Sequence, residues 1–164
     1  MTPVDLPPDT RLHTDPIGFA VAIPDSWAVV TDVDATTVLA AIEPEAPGTA
    51  TVGFRANLVV SHDQGVGPDL NAWQRNVDVT LDATLTGWVL LDLERLEIGG
   101  HPAARRLATY LAPDGPPVTL EQWAVLRGEA GLTVSVTAAT ATWDGLADQV
   151  AALGASFTVT EVPA

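Results

Sequence analysis

Apolar and polar residues alternate along most of this chain, and the spacing of the apolar ones changes at two places. From Phe19 to Ile23 the large residues Phe19, Val21 and Ile23 alternate with alanines until Pro24 ends the run. Across 51–62, Val52, Phe54, Ala56, Leu58 and Val60 fall on one side and Thr51, Gly53, Arg55 and Asn57 on the other. That period of two is the mark of a half-buried strand. At Asp69 the spacing lengthens to three and four: Leu70, Trp73, Val77, Leu81 and Leu85 make one helical stripe that ends near Gly87, with Asp69 placed to cap it. The same change recurs near Thr142, where Trp143, Leu146, Val150 and Leu153 form a second stripe and Thr142 stands as the cap. The helices are therefore predicted over 69–86 and 143–155.

Strands are predicted over 11–15, 19–23, 27–31, 36–43 and 51–62, then over 88–98, 103–112, 118–127 and 132–140, with 157–160 extended at the end. Gly99-Gly100, the Pro-rich segment 113–117 and the glycine-flanked segment 128–131 separate the four strands after the first helix. These short breaks suit hairpins, so the four strands form an antiparallel meander. Strands, helix, meander and helix in that order give an α+β plan: a single domain with an antiparallel β-sheet of about six strands and two main helices packed on it. Pro3, Pro7 and Pro8 among acids make 1–9 a flexible lead-in, and the domain occupies 10–164. A chain of 164 residues is enough for one self-sufficient core.

Composition narrows the chemistry. The chain has no cysteine, which removes disulfides, thiolate metal sites, thiol nucleophiles and a lipid-anchored cysteine. All seven basic residues are arginine, so Schiff-base and phosphate-loop lysines are absent too. The net charge of −14 is uneven, with eight acids against Arg11 alone in the first fifty residues. Nucleic acid is excluded as a partner by that charge, because basic residues dominate phosphate binding. No apolar run reaches the length of a membrane span, and the start has no basic-then-apolar leader, so a cytoplasmic location is expected.

The candidate constellations fare poorly. Ser61-His62-Asp63 holds the residue types of a hydrolytic triad, but neighbours on a strand point to opposite faces. His13, His62 and His101 show no metal-ligand spacing. The loop from Gly65 to Pro68 lacks a lysine and is flanked by Asp63 and Asp69, which would repel phosphate. Asp92 and Glu94 share a strand face with Trp88, Leu90, Leu96 and Ile98. Either a bulge reverses the alternation there, or both acids meet Arg105 or Arg106 on the next strand. No catalytic, cofactor-binding or metal-ligating set is assigned, and no cofactor is expected. What remains is a polar sheet face. Arg55 and Asn57 oppose the apolar side of 51–62, and Ser135 and Thr137 oppose that of 132–140. Trp123, with Glu121 in phase, is expected on the outer face of its own strand. Arg55, Asn57, Glu121, Trp123, Ser135 and Thr137 are thus the candidate partner-binding face.

Two segments carry a family resemblance. Gly18 to Trp27 is a strand stopped by Pro24, a polar turn and a buried aromatic; Leu96 to Arg106 is a strand, a Gly-Gly turn and a second strand opened by Pro102. Together they resemble the PsbP-like group of folds, which includes the Ran-binding Mog proteins, the DcrB proteins and the actinobacterial LpqN lipoproteins. The arginine-only composition with abundant Ala, Val and Asp suits a GC-rich genome, and the resemblance implies an actinobacterial member of the group. The resemblance implies a non-enzymatic protein-interaction domain, adaptor-like or chaperone-like, that docks a protein partner on a sheet face or groove. The alternative is a small-ligand or lipid-binding domain with an apolar pocket between sheet and helix. The missing lipid-anchor cysteine departs from the LpqN pattern.

Overall fold

The computed structural model describes residues 5–45, 53–113 and 115–160. Strands and helices follow in the predicted order: β1 (Thr10–Asp15), β2 (Phe19–Pro24), β3 (Ala28–Thr31), β4 (Thr37–Ile42), β5 (Asn57–Asp63), α1 (Leu70–Thr84), β6 (Val89–Ile98), β7 (His101–Leu111), β8 (Pro117–Arg127), β9 (Ala130–Ala139), α2 (Thr140–Ser156) and β10 (Thr158–Val159). They build two antiparallel sheets rather than one of about six strands. The larger has the order β3-β4-β5-β9-β8-β7-β6 and the smaller β1-β2-β10. Residues 1–4 of the expected lead-in, and Thr51 and Val52 of the predicted strand 51–62, lie outside the described residues; that strand begins at Asn57.

Helix α1 starts where the period changes, because the Asp69 carboxylate accepts from the backbone N–H of Asn71 and Ala72 at 2.8 and 3.1 Å. Helix α2 differs from expectation. It leaves β9 directly at Thr140, with Ala139 at the N-cap position and no side-chain cap; the Thr142 hydroxyl instead donates to the Ala139 carbonyl at 3.1 Å.

Each face of the large sheet carries one helix. On one face, Leu39, Leu58, Val60, Leu132, Val134, Val136, Trp123 and Val125 pack under α2 and under Phe19, Val21 and Ile23 of the small sheet. Burying each such side chain contributes roughly 1.5–3 kcal/mol. On the other face, Leu70 and Trp73 of α1 pack on Ala104, Ala124 and Leu126. Both helices meet the sheet through a tryptophan on a glycine. A Cβ at Gly154 of α2 would overlap the Trp123 ring, and one at Gly131 of β9 would overlap the Trp73 ring.

The two segments that carry the resemblance are joined through β10, which pairs with β2 and lies against Gly99. Arg11 holds the turn after β2 by donating to the carbonyls of Pro24, Asp25 and Trp27 at 3.0, 3.0 and 3.1 Å. Gly99 and Gly100, both at positive φ, join β6 to β7 in a two-residue turn, and Gly99 runs 2.8 Å, measured from where a Cβ would stand, from the Val159 carbonyl of β10. Arg127 ties the sheets together through the carbonyls of Ile17, Gly18 and Thr160.

The glycine seat predicts opposite outcomes within one helix. Gly145 of α2 is exposed with nothing within 4 Å of a Cβ, so Gly145→Ala should stabilise by about 0.5–1 kcal/mol through helix propensity. Gly154→Ala carries the same propensity gain but must displace the Trp123 ring, a cost of about 1–3 kcal/mol. Thermal melts should move upward for the first and downward for the second; a rise in both would mean that Trp123 does not hold α2 in place.

Candidate functional site

The six residues of the predicted face do not share one surface. Strand register sets Trp123 opposite Val134 and Glu121 opposite Val136, whereas Gln122 is opposite Ser135. Glu121 and Trp123 therefore lie on the α2 face, buried to 6% exposure each, and not on an outer face. Asn57, Ser135 and Thr137 lie on the α1 face, with Asn57 directly opposite Thr137. There Thr137 donates to Asn57 Oδ1 at 3.4 Å, and Ser135 accepts from Gln122 at 2.9 Å. Arg55 precedes β5, exposed, with Nη1 3.8 Å from Glu45. Parity misled for Trp123 because β8 is buried on both faces from Val118 to Leu126, so neither face of that strand reads as polar.

Arg105 and Arg106 are neighbours in sequence and so emerge on opposite faces of β7. Arg106 points under α1 and is 1% exposed. It donates to Asp78 Oδ1 at 2.8 Å, to Gln122 Oε1 at 3.1 Å and to the Gln74 carbonyl at 3.2 Å, which pins α1 to the sheet. Arg105 points to the α2 face, where it hydrogen-bonds Glu121 and lies 3.1 Å from Asp92 and 3.6 Å from Glu94. Burial works against its charge, but the hydrogen bond and charge of Glu121, with those of Asp92, prevail and raise its pKa above the ordinary value. Both options left open for Asp92 and Glu94 hold at once. The register slips between Leu90 and Asp92, which brings the acids onto this face, and Arg105 receives them.

Helix α2 covers β8 and β9 but stops short of the β6–β7 hairpin. The uncovered strip is an open groove of about 580 Å³. Leu96, Ile98, Trp123 and Phe157 give it an apolar floor, Ala151 and Ala155 of α2 form one wall, and Arg105 with Glu121 closes one end. One guanidinium faces three carboxylates there, so the groove's polar end is negative. It holds no nucleophile paired with a base. Among the described residues no three His, Asp or Glu side chains gather closely enough to hold a metal ion. No described helix is long and apolar enough to cross a membrane.

Comparison with known proteins bears on the fold. No family model matches the chain, and no curated protein matches it in sequence. Solved structures do match. Cyanobacterial PsbP (CyanoP) from Synechocystis sp. PCC 6803 superposes with a TM-score of 0.68 at 15% identity, covering 92% of this chain and 92% of its own. LpqN of Mycobacterium tuberculosis, involved in cell envelope biogenesis, gives 0.67 at 17% identity over 93% of this chain and 91% of its own. The protein of unknown function PA94 from Pseudomonas aeruginosa gives 0.61 at 18%, over 94% and 99%. The chain has a PsbP-like fold. At these identities the likeness concerns architecture, and function has to be argued from the site.

The Arg106 cluster can be tested directly. Asp78→Ala leaves a buried guanidinium without its anion and should cost on the order of 3 kcal/mol, whereas Arg106→Met leaves Asp78 a route to water and should cost less. Urea unfolding of the two variants checks the order; the reverse order would show that Asp78, not Arg106, is the buried charge.

Proposed function

We propose that this chain is a non-enzymatic interaction domain, adaptor-like or chaperone-like, that docks a protein partner in the groove between α2 and the β6–β7 hairpin. The groove itself carries this assignment. It is open along its length, with an apolar floor beside a negatively charged end. Small-molecule sites typically enclose most of their ligand, while a shallow apolar trench with charge at one end suits a segment of polypeptide. Three carboxylates around Arg105, on a chain of net charge −14, favour a basic partner. The PsbP-like fold is consistent with this role, and the sequence motifs resemble a group whose Mog-type and PsbP-type members work by docking onto other proteins.

The polar sheet face of Arg55, Asn57, Ser135 and Thr137 is a second surface for the same function, with Arg55 exposed at its rim. Its inner polar groups are already engaged with one another and with Gln122, so it offers a partner less than the groove does.

A photo-crosslinking residue placed at Ala155, and separately at Arg55, tests the assignment in the native host. We expect a protein adduct from Ala155 that disappears when Ala151→Arg narrows the groove, with the melting temperature unchanged. Adducts from Arg55 alone would move docking to the sheet face. No protein adduct from either site, with a lipid or other small molecule copurifying in the groove, would replace the assignment with the ligand-binding alternative.

A further inference from the structure

Among the described residues, strand β6 ends the larger sheet and pairs only with β7, so one row of its backbone N–H and C=O groups faces outward. Sheet edges invite added strands, and proteins usually blunt them with shortness, charged side chains (lysine above all), proline, bulges or a covering element. The edge here carries Asp92, Glu94, Arg95 and Glu97, charges that also decide which strand can be added. β6 has ten residues, no lysine and no proline. Its one irregularity falls between Leu90 and Asp92, which leaves Asp92 to Ile98 in unbroken register. It is also greasy where an edge should be polar: Val89 is 51% exposed, Leu90 39%, Leu91 55% and Leu93 44%.

We propose that the outer edge of β6 is a docking site that takes an extended, basic segment of a partner protein as an eighth, antiparallel strand of the sheet. The inference rests on the interaction role proposed above but not on the groove. Charge selects the occupant. Toward the α2 face β6 presents Asp92 and Glu94 and then Leu96 and Ile98; toward the α1 face it presents Leu93, Arg95 and Glu97. An added strand sets its side chains beside these, so cations suit the places opposite Asp92, Glu94 and Glu97, and aliphatic residues those opposite Leu93, Leu96 and Ile98. A second copy of this chain fits worse. The two-fold register that sets Leu93 against Leu93 also sets Asp92 against Glu94 twice, between molecules that each carry −14.

The probe is a blocked peptide, Val-Lys-Val-Thr-Lys-Val-Lys, written to lie antiparallel from Ile98 to Asp92, titrated into the full chain at low ionic strength and followed by amide NMR shifts and hydrogen exchange. We expect saturable shifts along β6 with alternate β6 amides newly protected, weakening by about tenfold or more in Leu93→Lys and in Glu97→Lys. The peptide with glutamate in place of lysine should not bind. Binding should survive Ala151→Arg with Ala155→Arg, which block the groove, so the edge and the groove can fail separately. Absence of saturable binding overturns the proposal. So do shifts confined to Ala151, Ala155 and Phe157, and so does protection of β6 that grows with protein concentration without peptide, which would mean that a second copy is the occupant.

Discussion

A tryptophan ring pressed against a glycine seats each helix on the large sheet, Trp123 under Gly154 of α2 and Trp73 of α1 over Gly131. Where those seats lie decides what stays uncovered. A helix is about 10 Å across and strands lie about 4.8 Å apart, so one helix shields roughly two strands. The large sheet has seven. On the α2 face the small sheet covers part of the rest, with Phe19, Val21 and Ile23 fully buried against it. The β6–β7 hairpin lies beyond both covers, and the groove and the bare edge are two consequences of that shortfall.

The adjacent arginines show how one residue type serves two ends. The two-residue period of β7 sends Arg106 under α1, where three protein acceptors satisfy its guanidinium and it acts as a structural pin. The same period sends Arg105 to the uncovered strip, where it neutralises only part of the acid around it. Removing one partner of a deeply buried charge is costly, whereas the exposed members of the Arg105 cluster, Asp92 and Glu94, can exchange partners with water or an incoming side chain at little cost. That difference makes the Arg105 side of the hairpin suited to recognition.

Much of the architecture is legible in the sequence because it follows from local chemistry. The change of period at Asp69 and its carboxylate cap locate α1, and the Gly-Gly turn places the β6–β7 hairpin. The start of α2 is less legible: Thr140 reads as the end of a strand and Thr142 as the cap, yet the helix already begins at Thr140 with no capping side chain to mark the change. The surfaces are harder still. β8 is buried toward both helices and carries a polar residue on each face, so alternation cannot tell which side of Trp123 faces outward, and only the pairing with Val134 settles it. The groove depends on the contact between Trp123 and Gly154, which are far apart in the chain. Two features of the sequence could have found it: a glycine inside the predicted second helix, and a strand that carries acids and aliphatic residues on the same face.

The claim on which the functional account depends is that the β6 side of the sheet is uncovered in the free protein. Residue-resolved hydrogen exchange on the isolated chain under native conditions tests this most directly. Outward-pointing amides of β6 should exchange rapidly at every second residue, while those of β8 and β9 exchange only through global unfolding. Uniform slow exchange along the whole of β6 at high dilution would contradict the account, since it would require a cover that the described residues do not supply.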